Sequence, residues 1–370
     1  MRIASYNVEN LFDRAKAMNL GTWAQGRPVL DDFAALNKLL GNITYSAADK
    51  TRIVQLMTDL GLAKSDTGPF VILRRNRGKL LTRPKTGGIT ITAGGRADWA
   101  GSLELIDEPV DETSMQNTAR VMSDLKADIL GVVEAESRPV LAAFNKQIVA
   151  SMGGTPFRHV MLIDGNDERG IDVGILTRDG YPIGKMRSHA DEQTKTGDPL
   201  FSRDCPEFEI TTPSKKRLLV LLNHLKSKGY GSPAVSSAKR KVQATRVAEI
   251  YRDLIQAGET NIVVMGDFND TPDSDPLAPL LTKTDLKDIF THPKFDDGGY
   301  PGTYGGCTKS NKIDYMLLSP ALYGKFKTGG VFRKGAWPGV KPVKWPVYPT
   351  ITREVEAASD HCAIWADIDI

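Results

Sequence analysis

Residues 263–277 read VVMGDFNDTPDSDPL, an apolar run that ends on Gly266 and hands the chain to Asp267, Asn269, Asp270, Asp273 and Asp275. The run predicts a buried strand. Carboxylates at its end have two readings. One is an acidic turn that caps the next helix, with Pro276 at its start, because Asp, Asn and Pro favour turns and helix starts. The other is a metal or nucleophile site presented by the end of a rigid strand. What separates the two is whether other strands end in the same way.

They do. Polar groups sit at or just beyond the apolar run in SYNVEN (Asn7 and Glu9), DILGVVEAES (Glu134), LVLLNHLKSK (His224), KIDYMLL (Asp314) and SDHCAIW (Asp360 and His361). Singly, each has a bland reading: Glu134 as a solvated strand terminus, His224 as a satisfied core histidine, Asp360 as a turn residue. Together they supply carboxylate and amide oxygens with two histidines and no thiolate, which suits a hard cation such as Mg²⁺ or Mn²⁺. Cleaving a phosphate ester needs a cation to neutralise developing charge, an oriented water, a base for its proton and donors for the non-bridging oxygens. Each role has a candidate in this set.

The scaffold around these residues reads as α/β. RIASYNV at 2–8 alternates like a strand, and further strands are predicted at 172–177, 207–211, 217–223, 261–266, 313–318 and 363–369. Helical patterns cover 30–40, 46–62 behind a Ser46 cap, the stretch from 115, the stretch after Ser137 and about 235–257, closed by Gly258. Strands outnumber the helices between them, which predicts mixed sheets and not a strict βαβ repeat. Residues 69–110 read as a β-hairpin excursion, with a basic stretch RRNRGKLLTRPK at 74–85.

With 370 residues and 41% hydrophobic residues, the chain is long enough for one large domain or two modest ones. A net charge of +3 is too small to imply nucleic acid or membrane binding by itself, so only local clusters argue for either. Cys205, Cys307 and Cys362 are odd in number and far apart, which suggests neither a disulfide framework nor a zinc site and fits a reducing compartment. MRIASYNVENLF has no apolar signal core and no run elsewhere is long enough to cross a bilayer. The expectation is a cytoplasmic protein with no membrane contact and no obligate protein partner.

YNVEN, DILGVVE, RGIDVGIL, NHLKSK, GDFND, KIDYMLL and SDH, in that order along almost the whole chain, resemble the motifs of the endonuclease/exonuclease/phosphatase superfamily, the DNase I-like fold. GDFND with a downstream SDH is the specific part. Val133 stands where many relatives place Gln. The resemblance implies a single domain over residues 1–370: a four-layer α/β sandwich of two mixed, mainly antiparallel sheets packed face to face, with helices outside and an α/β-hairpin insertion at about 14–114. It implies Glu134 as principal Mg²⁺ ligand, Mn²⁺ or Ca²⁺ being alternatives, with Asn7, Glu9 and Asp360 near the metal. Asp267 and Asn269 would hold the attacking water and a phosphate oxygen, Phe268 between them facing the core. His361 would pair with Asp314, proton transfer being shared between this dyad and Asp267, and His224 would contact phosphate or assist the leaving group. Arg169 lies where relatives place a phosphate contact, although it reads equally as a surface residue of the loop GNDERG. Asp172 is a candidate to orient His224 or Arg169, and Lys226 and Lys228 are candidates to cradle phosphate.

The expected reaction is divalent-metal-dependent phosphodiester hydrolysis, with DNA or RNA as substrate and low sequence specificity; the alternative is a phosphatase or phosphodiesterase of small-molecule, inositol or lipid esters. The basic stretch at 74–85 favours a polyanion. So does KFKTGGVFRKGAWPGVKPVKWPVYP at 325–349, where cations alternate with Phe332, Trp337, Trp345 and Tyr348 in the manner of a nucleic-acid groove. The competing reading of this second stretch is a proline-rich loop anchored by buried tryptophans.

Overall fold

The strand expected at 261–266 forms as Ile262–Asp267 in the computed structural model, which describes the chain apart from residues 21, 22, 86, 87, 168, 229–231, 341 and 342. It lies inside a six-stranded sheet ordered Ile183–Arg187, Glu207–Thr211, Arg217–His224, Ile262–Asp267, Asp314–Leu318, Lys287–Asp288. Only the central pair, Arg217–His224 with Ile262–Asp267, is parallel. A seven-stranded sheet runs Phe295–Asp296, Phe326–Phe332, Ala363–Ile368, Arg2–Asn7, Ile129–Ala135, Asp172–Thr177, His159–Leu162. Here Arg2–Asn7 is parallel to Ile129–Ala135 and Phe295–Asp296 to Phe326–Phe332, the rest being antiparallel.

Alternation along the strands explains why the sheets stack. Successive side chains point to opposite faces, so Leu218, Val220, Leu222, Val263, Met265, Met316 and Leu318 share one core with Ile3, Ile129, Val133, Val173 and Ile175 of the other sheet. The alternate positions face outward under helices. Leu219, Leu221, Ile262 and Val264 pack beneath the helix Pro233–Gln256 through Ala244, Val247, Ala248 and Tyr251. Ala4, Tyr6, Leu130 and Val132 pack beneath the helix Glu112–Asp124 and the helical stretch from Arg138 to Val149. The result is the expected four-layer sandwich. The long helix starts two residues earlier than its apolar pattern suggests, because Ser232 caps it and Pro233 occupies its first turn.

Contacts divide the chain into two compact units, one formed by residues 1–12, 110–228 and 232–370 and the other by Asp13–Pro109. The second has its own core, in which Leu36, Leu40, Ile53, Leu56 and Met57 of the helices Trp23–Leu40 and Ala47–Asp59 meet Val71, Leu73, Trp99 and Leu103 of a hairpin. Ser46 and Asp49 form a capping box. Within this unit the basic stretch is partly neutralised: Arg74 pairs with Glu104, and Arg75 and Arg83 both pair with Asp66. Arg77, Lys79 and Lys85 stay exposed.

The stretch at 325–349 divides: Phe326–Phe332 is a strand of the larger sheet, and the proline-rich part after it takes the competing reading. Trp345 and Tyr348 are buried, the Trp345 indole donating to the Ala336 carbonyl, and Phe332 and Trp337 pack against the core. The faces of Trp345 and Tyr348 are thus spent on packing, while Phe332 and Trp337 are half-buried. Arg333 is buried as well and donates to the carbonyls of Asp297, Tyr300 and Gly302, while Lys341 lies outside the described residues.

Candidate functional site

Four of the sequence-singled residues continue the apolar columns between the sheets. Asn7 follows Ile3 and Ser5, His224 follows Val220 and Leu222, Asp267 follows Val263 and Met265, and Asp314 precedes Met316 and Leu318. Strand register then sets them side by side, His224 opposite Asp267 and Asp267 opposite Asp314. Gly266 allows this: its φ is +131° and a Cβ there would lie 2.0 Å from the Asn223 carbonyl oxygen, so no other residue fits the close approach.

Glu134 arrives by a different route. Alternation would send it outward with Leu130 and Val132, toward the helices. The register instead slips, with Ala135 opposite Asp172 and Val133 opposite Val173, so Glu134 is the extra residue of a β-bulge and has φ +66°. Its carboxylate thereby meets Asn7 Nδ2 at 3.1 Å and lies 3.5 Å from His224 Nε2. Glu9, Asn10 and Asn269 are also left-handed. Strain of this kind costs roughly 1 kcal/mol or more per residue, while burying one Leu or Val contributes about 1.5–3 kcal/mol; the two cores on which the strands rest can hold it.

Asp267 Oδ2 is the focus of the site. It lies 3.7 Å from His224 Nε2, 3.8 Å from His361 Nε2 and 3.4 Å from Asn7 Nδ2. Asn269 does not point along an extended strand as its spacing from Asp267 suggests. It turns back, its backbone N–H donating to Asp267 Oδ1 at 2.8 Å and its amide donating to Asp267 Oδ2 and to the Leu225 carbonyl. Phe268 is buried and stacks on Tyr315 at 4.8 Å. His361 Nδ1 meets Asp314 Oδ2 at 2.9 Å, and the same oxygen accepts the Thr303 hydroxyl at 2.6 Å. Ser359 bonds the Asn7 carbonyl and accepts from the His361 N–H.

The surroundings give these groups different charges. Burial raises Asp267 to about 7 against the opposing charge of His361. Burial would lower His361, but Asp314, through charge and hydrogen bond, outweighs it and holds the imidazole well above its usual value. His224 is pushed well below its usual value by burial and then by the charges of Arg203 and Arg169. Burial and the same two arginines bring Lys226 down to about 7.

Asn7, Glu9 and Asp360, the other residues expected near the metal, make hydrogen bonds and close contacts within the same site. Asn7 Oδ1 accepts the Glu9 N–H, which turns the amide nitrogen toward the carboxylates and makes Asn7 an orienting donor. Glu9 Oε2 accepts the Asp360 N–H, and Asp360 Oδ1 lies 3.8 Å from His361 Nε2. Glu134, His224 and Asp267 offer ligand atoms within 4.8 Å of one another, as do Asp267, Asp314 and His361. In the second group His361 and Asp314 are committed to each other. The first, two carboxylates with an imidazole at strand ends, fits a divalent cation that keeps part of its water.

Arg169 is no surface residue. It grips Asp167 bidentately, at 2.9 and 2.8 Å. Arg203, which sequence reasoning missed, is 1% exposed; its Nε lies 2.8 Å from the same carboxylate without hydrogen-bond alignment, and its Nη1 reaches the Leu225 carbonyl at 3.5 Å. Burial would raise Asp167, but the two arginines hold it well below the usual carboxylate range. A loop arginine in FSRDC carries no periodicity that betrays burial. Asp172 accepts from the Gly165 N–H, and His224 Nδ1 has no hydrogen-bond partner, so Asp172 does not orient that ring. Lys228 is taken by Asp270 at 2.5 Å, where Arg240 also binds; Asp270 is thus a buried anchor, while Asp275 pairs with Lys241 at the surface.

A model of the Endonuclease/Exonuclease/phosphatase family matches residues 101–327. Among solved structures, an endonuclease/exonuclease/phosphatase family protein from Bacteroides thetaiotaomicron superposes with a TM-score of 0.50 at 16% identity, over 69% of this chain and 86% of that one. A mannosyl-6-phosphatase from the same organism gives 0.51 at 16%, over 70% and 92%. At these identities the likeness is one of fold. No curated protein matches the sequence. Among the described residues no helix is long and apolar enough to cross a membrane.

Proposed function

The chain belongs to the endonuclease/exonuclease/phosphatase family, and from that premise we propose that it is a divalent-metal-dependent phosphodiesterase acting on nucleic acid with little sequence preference. The observation that carries the reading is the convergence on Asp267 Oδ2 of both histidine Nε2 atoms and the Asn7 amide, beside Glu134. Glu134 would hold the cation, Mg²⁺ or Mn²⁺, which leaves Asp267 and His224 free for proton transfer and phosphate. When bound, it neutralises charge that develops on the phosphate.

The protein's own groups divide the remaining work. Asp267, raised to about 7, takes the proton of the attacking water, a pKa near neutrality being the best compromise between being ionised and being basic. Asn269 fixes that carboxylate through two donors. His361, kept charged by Asp314, donates to a non-bridging oxygen. Neutral His224 donates toward the leaving oxygen, and Arg169, fixed by Asp167 together with buried Arg203, lends positive charge on its side of the site. The exposed Arg77, Lys79 and Lys85 suit a polyanion.

A second reading, hydrolysis of small phosphate esters, gains from the burial of Trp345 and Tyr348. The test is a digestion panel of duplex DNA, single-stranded DNA, RNA, bis(p-nitrophenyl) phosphate and p-nitrophenyl phosphate, with Mg²⁺ or Mn²⁺ and with EDTA. Nucleic-acid cleavage that EDTA stops is expected. Inertness toward every nucleic acid with metal-dependent phosphate release from the monoester would replace the first reading by the second.

A further inference from the structure

Cysteines spaced too far apart to suggest a bridge are brought together by the fold. Cys307 Sγ and Cys362 Sγ lie 3.4 Å apart in a small buried cluster with Ala336 and Trp345, while Cys205 is buried in another core. All three are free thiols. Cys362 directly follows His361, and its N–H donates to the Thr303 carbonyl. Cys307 closes the turn Thr303–Cys307: its N–H donates to the Tyr304 carbonyl and its carbonyl accepts from Gly302. That turn carries the Thr303 hydroxyl bound to Asp314 and the Tyr304 ring, 4.8 Å from the His361 ring. The two sulfurs are therefore rooted in the two segments that hold the dyad.

Reactivity favours Cys307, which is itself buried and follows the exposed turn residues Tyr304 and Gly305 with Gly306 between. The hydrogen bond from Cys362 and, against the effect of burial, the charges of Arg333 and Lys344 push its thiol below the usual range. Thiolate character is what makes a cysteine an oxidation target.

We propose that Cys307 and Cys362 form a reversible oxidation site, in which a hydroperoxide, hydrogen peroxide being the smallest, links them in a disulfide that displaces the Asp314–His361 dyad. The Cys307 thiolate attacks one peroxide oxygen; an S–O bond forms, the O–O bond breaks and hydroxide leaves, taking up a proton to become water. The Cys362 thiol then attacks the sulfenic sulfur, the S–S bond forms and the second water leaves. The two thiols lose two electrons together and the peroxide gains them. A dithiol reverses the step by exchange. Bringing the sulfurs from 3.4 Å to bonding distance moves them by roughly 1.3 Å relative to each other. A misplacement of about 1 Å at reacting groups can lower a rate on the order of 100-fold.

Two readouts on the full chain test this. After stoichiometric hydrogen peroxide and alkylation, a non-reducing peptide map is expected to show Cys307 linked to Cys362, with Cys205 alkylated and the link lost in dithiothreitol. No link, or a link involving Cys205 or a second chain, overturns the proposal. In the second readout, phosphodiester hydrolysis is expected to fall at least roughly tenfold on oxidation and to return with dithiothreitol, whereas Cys307→Ser and Cys362→Ala keep their starting rate in both states. A mapped link with an unchanged rate overturns the displacement of the dyad. This second readout rests on the hydrolase reading and the map does not, so a reduced protein without hydrolysis would count against that reading alone.

Discussion

His361 and His224 face one carboxylate oxygen of Asp267 from 3.8 and 3.7 Å, and the protein treats them oppositely. His361 has Asp314 on Nδ1, backed by the Thr303 hydroxyl, and is held in the charged form. His224 has no partner on Nδ1, feels Arg203 and Arg169, and is held neutral. Burial is nearly equal, so it cannot be the cause of the difference. What differs is the charge that weighs most on each ring: the Asp314 carboxylate hydrogen-bonded to His361, and the Arg203 and Arg169 guanidinium groups acting on His224. The comparison teaches that one site can present an imidazolium and an imidazole at the same pH, which is the division of labour a phosphodiester reaction uses.

The largest expected effect comes from breaking the charged side. His361→Ala should lower kcat by roughly 10²–10⁴-fold, and Asp314→Asn should lower it too while leaving the imidazole in place; steady-state hydrolysis of bis(p-nitrophenyl) phosphate measures both. An Asp314→Asn variant as active as the parent would show that the carboxylate does not set the charge of its histidine. On the neutral side, Asp167→Asn leaves Arg169 and Arg203 buried without their shared anion. Removing one partner of a buried ion pair costs about 3–5 kcal/mol, to be read from urea unfolding. A variant of unchanged stability would mean that Asp167 does not hold the arginines beside His224.

How far this contrast was legible in the sequence depends on what fixes each residue. The strand ends at Asn7, His224, Asp267 and Asp314 follow from period-2 alternation, and so does the layered fold, because apolar columns decide which face is buried. The position of Glu134 does not, since a bulge is a slip of register between Ile129–Ala135 and Asp172–Thr177 and no local pattern marks it. Arg203, Asp167 and the pairing of Cys307 with Cys362 depend on loops folding back over long stretches of chain, where neither periodicity nor turn chemistry reaches. The alternation of cations and aromatics at 325–349 misled for a related reason: composition reports which groups are present, and only packing reports which way Trp345 and Tyr348 turn.

The contrast itself can be measured directly. In histidine-labelled protein near neutral pH, nuclear magnetic resonance of the ring nitrogens should show His361 doubly protonated and His224 neutral, and Arg203→Met should raise the pKa of His224. Two rings titrating together near the unperturbed value of about 6.5 would dissolve the distinction.

A third buried histidine isolates the same electrostatics away from the reaction, with the smallest expected effect. His189 Nδ1 meets Glu192 at 2.6 Å and its Nε2 meets Glu207 at 2.8 Å, while Arg246 binds Glu192 from the helix Pro233–Gln256. Burial would lower His189, but the two carboxylates outweigh it and raise its pKa. Hydrogen bonds from Arg246, and then from His189, bring Glu192 down to about 2, so this carboxylate stays ionised over the working range and the pH dependence belongs to the imidazole. A pKa raised in the folded state means that the unfolded chain releases the proton first. The stabilisation is therefore complete below the unfolded value of about 6.5 and is lost as pH rises through the folded one. His189→Gln should lower unfolding stability by about 1–3 kcal/mol at pH 5.5, the scale of a charged hydrogen bond. Since glutamine does not titrate, the deficit should shrink toward pH 9, as pH rises through the raised pKa of wild-type His189. Denaturant titrations at the two pH values measure the difference; a deficit that stays constant or grows toward pH 9 would assign His189 a packing role and leave the charge of a buried histidine in this fold to something other than its carboxylate neighbours.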